Sequence, residues 1–206
     1  MQTDWSDERL MLAYRAGDAD AFTLLYRRHR GPLYRYLARQ CGNPALADEL
    51  HQDVWLKVIK ARSQYEPLAR FPTWLFRIAR HRLIDHYRQH ARHLLAHYES
   101  TADEDPEEGN ELIEALPAAY EEMPHVLHER HDTARRISLA LDELPPLQRE
   151  VFLLAEEGGL TLDEIAVATG CGRETTKSRL RYALGKLRTR LRDLGRRQKN
   201  RNLCIH

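Results

Sequence analysis

The sequence predicts an all-α protein: two small helical domains, an N-terminal helical bundle and a C-terminal helix-turn-helix domain, joined by an acidic flexible linker. Three observations carry that prediction. Apolar residues recur at spacings of three and four on both sides of the chain's middle, the period of an amphipathic helix. Between Thr161 and Leu194 a helix start, a glycine turn and a second helix start follow one another. Between residues 97 and 132 the chain turns acidic and loses its periodicity, and Pro106, Gly109, Pro117 and Pro124 break any long helix. The expected boundaries are 1–96 and 133–196 for the domains, 97–132 for the linker and 197–206 for a basic tail.

In chain order, Ser6 caps the first helix, Leu10, Ala13 and Tyr14 form its apolar stripe, and Gly17-Asp18 ends it. A second helix starts near Asp20 and buries Phe22, Leu25, Tyr26, Leu33, Tyr36 and Leu37. Gly31-Pro32 predicts one bent helix or two, because proline removes a backbone donor. Asn43-Pro44 opens a third helix with proline in its first turn, and Leu46, Leu50, Val54 and Val58 make its core stripe. Asp48, Glu49, Gln52, Asp53 and Lys60 lie off that stripe, with Trp55, Leu56 and Ile59 beside them. An acidic face next to large apolar groups suits a protein partner, against the simpler alternative of a solvated face.

The loop QYEPLARFP leads to another helix, expected from Thr73, whose inward side is Trp74, Leu75, Ile78, Ala79 and Leu83. Arg77, Arg80, His81, Arg82, Arg88 and Arg92 mix there with Phe71, Trp74, Phe76 and Tyr87. Cations beside aromatics suit single-stranded nucleic acid: charges meet phosphates and rings stack on bases, at about 1–3 kcal/mol per base. The competing assignment puts the aromatics in the core, and it is the better one for Trp74. Asp85 is read as an intrahelical partner of Arg82 and Arg88. His86, His90, His93 and His97 recur at helical spacing, as do His125, His128 and His131, which raises a metal site. One row of histidines supplies too few convergent ligands, so neither metal nor cofactor is expected.

After the linker, Ile137, Leu141 and Leu144 precede Pro145-Pro146 while Leu147, Val151 and Leu154 follow, predicting two helices. Thr161 and Glu164 form a capping box, and Leu160 and Ile165 occupy the positions of a hydrophobic staple, so a helix begins at Leu162. Gly170-Cys171-Gly172 ends it. The next helix opens near Arg173 with Thr176, Leu180, Ala183, Leu184, Leu187, Leu191 and Leu194 on one stripe. Its other face carries Glu174, Lys177, Ser178, Arg181, Arg188 and Arg192, groups that contact phosphates and base edges in a major groove. The alternative is a bundle helix with a solvated basic face. The tail GRRQKNRN is read as disordered.

Charged residues make up 31% of the chain but the formal net charge is +1, so total charge does not advertise a nucleic-acid partner. Its distribution does: acids from Glu99 to Asp132 face one strong base, Arg130, and beyond Arg173 bases dominate. Cys41, Cys171 and Cys204 are too scattered for a disulfide or zinc framework. No apolar run approaches the roughly 20 residues of a membrane span, and no signal-peptide pattern opens the chain, so a cytoplasmic location is expected.

The ordered set AGDADAFTLLYRRH, LADELHQDVWLKVIK, FPTWLFRIARHRLIDHYR, LDELPPLQREVFLL, LTLDEIAVATGCG and TTKSRLRYALGKL resembles the extracytoplasmic-function (ECF) sigma factors of the sigma-70 family. These are the promoter-recognition subunits of bacterial RNA polymerase. The resemblance implies that the third helix docks on the clamp helices of the polymerase largest subunit through Glu49, Gln52 and Asp53, with Leu56 on the same face. It implies that the loop from Pro67 to Phe71 and the helix from Thr73 to Arg88 melt and hold the minus-10 strand, through Phe71, Trp74, Arg77, Arg80, His81 and Arg88. Minus-35 duplex reading falls to Arg173, Glu174, Lys177, Ser178, Arg181 and Tyr182. An anti-sigma factor is a further implied partner, and the chain itself is expected not to be an enzyme. Tyr182, Leu184 and Gly185 depart from the family's usual basic run. The alternatives are a dimeric helix-turn-helix regulator, whose N-terminal domain would dimerise, and a histidine-dependent metal enzyme.

Overall fold

The computed structural model describes residues 4–99 and 136–203, of which 90, 92–99 and 194–203 are described as backbone. The acidic linker from residue 100 onward, with His125, His128 and His131, and Cys204 lie outside these residues, as do the side chains of His90, Arg92, His93, His97 and Leu194. The chain divides into two compact units, Met1–Pro117 and Ala118–His206. Among the described residues there are helices and no strand.

The first unit contains α1 (Asp7–Arg15), α2 (Ala19–Cys41), α3 (Pro44–Ala61), a 3-10 turn at Arg62–Gln64 and α4 (Phe71–Glu99). The local signals act as expected. Ser6 Oγ accepts the Arg9 N–H, Asp18 accepts from Asp20 and Ala21, and Asn43 accepts from Leu46 with Pro44 in the first turn. Pro32 lies inside α2, which stays a single helix. Losing one hydrogen bond costs about 3 kcal/mol. Burial of Leu25 before it and Leu33, Tyr36 and Leu37 after it, at about 1.5–3 kcal/mol per side chain, outweighs that cost.

The core of this unit is Leu10, Met11, Leu25, Leu33, Tyr36, Leu37, Leu50, Val54, Trp55, Val58, Tyr65, Phe71, Leu75, Phe76 and Leu83. Met11, Trp55 and Phe76 were not on the expected stripes, while Leu46 and Ala13 are half-buried. α4 begins at Phe71, two residues before the expected start. The reason is tertiary: the Phe71 N–H, which no helix carbonyl can serve at a first turn, donates to Glu8 Oε1 of α1 at 2.8 Å. The other end of α1 reaches the same region, where an Arg15 N–H donates to the Tyr65 carbonyl at 2.8 Å.

The second unit comprises the helical residues 136–142 (α5), α6 (Pro146–Glu156), α7 (Leu162–Thr169) and α8 (Arg173–Leu203). Its core is Leu141, Leu144, Val151, Leu153, Leu154, Leu160, Ile165, Ala168, Thr176, Ala183 and Leu187. Leu147 and Leu184, expected inside, are exposed, and Leu180 and Leu191 are half-buried. A stripe spaced by threes and fours is wider than the contact that short α6 and α7 make with α8, so its margins stay in solvent. The tail expected to be disordered instead continues α8 as backbone helix to Leu203. After Gly195 the good helix formers Arg196, Arg197, Gln198, Lys199 and Arg201 outnumber the weaker Asn200 and Asn202.

Candidate nucleic-acid interface

The helix-turn-helix is built as its residues dictate. Thr161 Oγ1 accepts the Glu164 N–H at 3.3 Å, and Glu164 Oε2 accepts the Thr161 N–H at 2.8 Å, closing the capping box. Leu160 and Ile165, the staple pair, are both buried. Gly170 ends α7 in the left-handed conformation, φ 70°, which a residue with a Cβ adopts only under strain. Thr176, buried at the base of α8, donates its hydroxyl to the Gly172 carbonyl at 3.2 Å, so its burial leaves no orphan.

The outer face of α8 then presents Arg173, Glu174, Lys177, Arg181 and Tyr182 to solvent, with Ser178 half-buried. Arg173 pairs with Asp163 at 2.7 Å and Lys177 with Glu174 at 3.8 Å, in largely exposed pairs. Such pairs contribute about 0–1 kcal/mol, so the cations are available to phosphates at little cost. The Arg181 guanidinium stands 5.1 Å from the Tyr182 ring centroid. Tyr182, 55% exposed, also lines with Gly185 an open groove against Ala140, Leu144 and Gln148.

On α4 the aromatics and cations part company. Phe71 and Phe76 are buried, and Phe71 packs near Tyr65 and Trp74 at centroid distances of 6.3 and 5.8 Å. Phe71 therefore offers no face to a base, which corrects its expected role in strand binding. Trp74 is half-buried, edge-on to Tyr65 at 5.0 Å. Arg77, His81 and Arg88 are exposed, and Arg80 is half-buried. The loop 66–70 between Tyr65 and α4 is exposed at every residue, and its Leu68 is 88% exposed. Leu68 falls within the loop expected from Pro67 to Phe71, but the sequence did not single it out from its neighbours.

The third surface is α3. Glu49, Gln52 and Leu56 are exposed on one side, Leu56 by 51%. Asp53, expected with them, turns toward α4 and pairs with Arg82. Arg82 thus pairs between helices rather than with Asp85 on its own helix, and this explains how a charged residue sits at an inward position. On the neighbouring side Trp55 Nε1–H donates to His51 Nε2 at 3.1 Å. Burial pushes the His51 pKa below its usual 6.5, against the opposing influence of the Arg30 carbonyl and Asp48.

No group of three or more potential metal ligands is present among the described residues. His86 meets Tyr87 ring to ring at 5.9 Å.

The Sigma-70 region 2 family matches residues 25–93 and the Sigma-70, region 4 family matches residues 140–189. The RNA polymerase sigma factor CarQ of Myxococcus xanthus is 34% identical over 186 residues, covering 89% of this chain and 97% of that protein. Among solved structures, CnrH in complex with the cytosolic domain of CnrY has a TM-score of 0.63 at 22% identity, over 91% of this chain and 97% of that one. The sigma factor RpoE of Bartonella quintana, in complex with the anti-sigma factor NepR, has a TM-score of 0.61 at 22% identity, over 83% and 96%.

Proposed function

The chain belongs to the extracytoplasmic-function sigma factors of the sigma-70 family, the transcription-initiation factors of bacterial RNA polymerase, and from that premise we propose a division of labour among its three surfaces. Glu49, Gln52 and Leu56 of α3 dock on the largest subunit of core polymerase, while Asp53 serves the same face indirectly by fixing α3 to α4. The exposed side of α4, with Arg77, Arg80, His81 and Arg88, and the loop before it capture the minus-10 strand. Trp74 contributes its exposed edge. Arg173, Glu174, Lys177, Ser178, Arg181 and Tyr182 on α8 engage the minus-35 duplex.

The observation that carries the reading is that one chain holds both regions, in the order and over nearly the whole length of a sigma factor. A dimeric regulator needs an N-terminal dimerisation surface and gives no account of region 2. Strand separation is then a binding event: bases exposed by thermal opening are held by α4 and its loop, and phosphates by its arginines. Bond chemistry belongs to the polymerase, in the cytoplasm where it works. An anti-sigma factor covering these surfaces is the further partner proposed.

The test is transcription by purified core polymerase with and without this chain, on promoters found by mapping start sites after its overproduction. Start-site-specific transcription and co-purification with core are expected. Core that stays inactive, and a chain that fails to co-purify with it, would sink the proposal.

A further inference from the structure

We infer that Glu8 and Arg15 of α1 are positioning residues for promoter opening: they hold the loop 66–70 at both ends and so present it to the minus-10 strand. The inference rests on the proposed strand-capture role of that loop and α4.

The loop carries no regular structure of its own and buries none of its five residues. Within it the Leu68 N–H meets the Glu66 carbonyl at 2.8 Å, and at its end the Arg70 carbonyl accepts the Trp74 N–H at 3.2 Å. The fixed points lie at its stems. Tyr65 and Phe71, on either side, are buried rings 6.3 Å apart, centroid to centroid. Each stem's main chain is held by a charged side chain from α1. Arg15 donates to the Tyr65 carbonyl at 2.8 Å, and Glu8 accepts the Phe71 N–H at 2.8 Å, across 50 and 63 residues of sequence respectively.

Bonds with one charged partner are the stronger kind, and a carboxylate at a helix N-terminus is favoured by the helix dipole as well. Glu8 therefore caps α4 from another helix. α1 is itself pinned, since Asp7 pairs with Arg28 at 2.6 Å and His29 at 2.7 Å on α2, and the His29 ring lies 5.2 Å from Phe71. Burial pushes the Tyr65 hydroxyl up to about 12, and the Glu8 and Asp7 carboxylates beside it push the same way. Two acids at the head of α1 thus converge on the base of the loop.

Leu68, the apolar residue at its exposed turn, is what the two bonds hold in place. A loop that captures unstacked bases gains affinity when its conformation is fixed before binding, because the ordering cost is not then charged to the complex.

The experiment uses holoenzyme assembled from core polymerase and the full chain, with a fluorescent non-template minus-10 oligonucleotide read by anisotropy. Glu8→Ala with Arg15→Ala should weaken strand binding roughly tenfold, the factor that about 1.4 kcal/mol supplies. It should also slow opening of a duplex promoter, while affinities for core and for minus-35 duplex stay within about twofold. Glu8→Gln keeps an oxygen that accepts the Phe71 N–H, so it should recover most of the loss that Glu8→Ala causes alone. Unchanged strand affinity in the double variant, no rescue by glutamine, or an equal loss of core affinity would each overturn the inference. Arg77→Ala with Arg88→Ala separates it from the reading beneath it. If that variant weakens strand binding and the α1 variants do not, only the positioning role is lost. If it binds as tightly as the unaltered protein, the α4 reading falls and takes this one with it.

Discussion

Replacing Asp53 by alanine removes the partner of Arg82, whose side chain is 25% exposed and whose Nε is buried without a hydrogen-bond partner. Asp53 itself is 32% exposed. Removing one member of a fully buried pair costs about 3–5 kcal/mol, and of an exposed pair about 0.2–1 kcal/mol. At this partial exposure water screens much of the interaction, so the expected loss is about 1–2 kcal/mol. For a unit of this size each kcal/mol lowers the melting temperature by about 4–8 °C. All three tryptophans, Trp5, Trp55 and Trp74, lie in the first unit, so fluorescence reports its unfolding alone. Arg82→Met in the Asp53→Ala background removes the stranded charge and should recover at least half of the loss, since deleting both partners costs less than deleting one. Gln52→Ala, by contrast, should reduce core-polymerase affinity without moving the transition. A melting temperature for Asp53→Ala within about 1 °C of the unaltered protein, or a methionine that restores nothing, would refute the interhelical role of this pair.

Lys177→Ala with Arg181→Ala should weaken minus-35 duplex binding across sequences and lower the salt dependence of log K by about 2, roughly 0.9 for each phosphate contact. An unchanged slope in a salt titration, or a loss of core affinity, would contradict their assignment. Gly185→Ala should stabilise the second unit by about 0.5–1 kcal/mol, because a Cβ there meets no atom within 4 Å and the backbone is already helical. Urea unfolding followed by far-ultraviolet circular dichroism measures it, and a lower midpoint would count against an open position. His51 holds fewer protons folded than unfolded between its lowered pKa and 6.5. Stability of the first unit therefore falls as pH drops below 6.5, levelling off below the folded pKa. Tryptophan-detected melts should show that decline shrinking in His51→Gln, and an identical decline would disprove the linkage.

What the sequence alone determined is everything written in local chemistry. Caps at Ser6, Asn43 and Thr161, the left-handed stop at Gly170 and the apolar periods suffice to place helices, because each acts within a turn or two of its own residue. The family was also legible, since six segments in a fixed order constrain far more than any one of them. Tertiary structure decided whatever depends on a partner distant in sequence. Phe71 looks like a base-stacking ring beside arginines, yet it is core, because the aromatic cluster with Tyr65, Trp74 and His29 is complete only once α2 meets α4 and the segment before it. Asp53 sits by spacing among the exposed residues Glu49, Gln52 and Leu56 of α3, yet it points to Arg82, a contact 29 residues away. The start of α4 moved for the same reason, its first N–H being satisfied by Glu8, 63 residues earlier. Periodicity tells which face of a helix is apolar; only packing tells which polar residue on the other face is already taken.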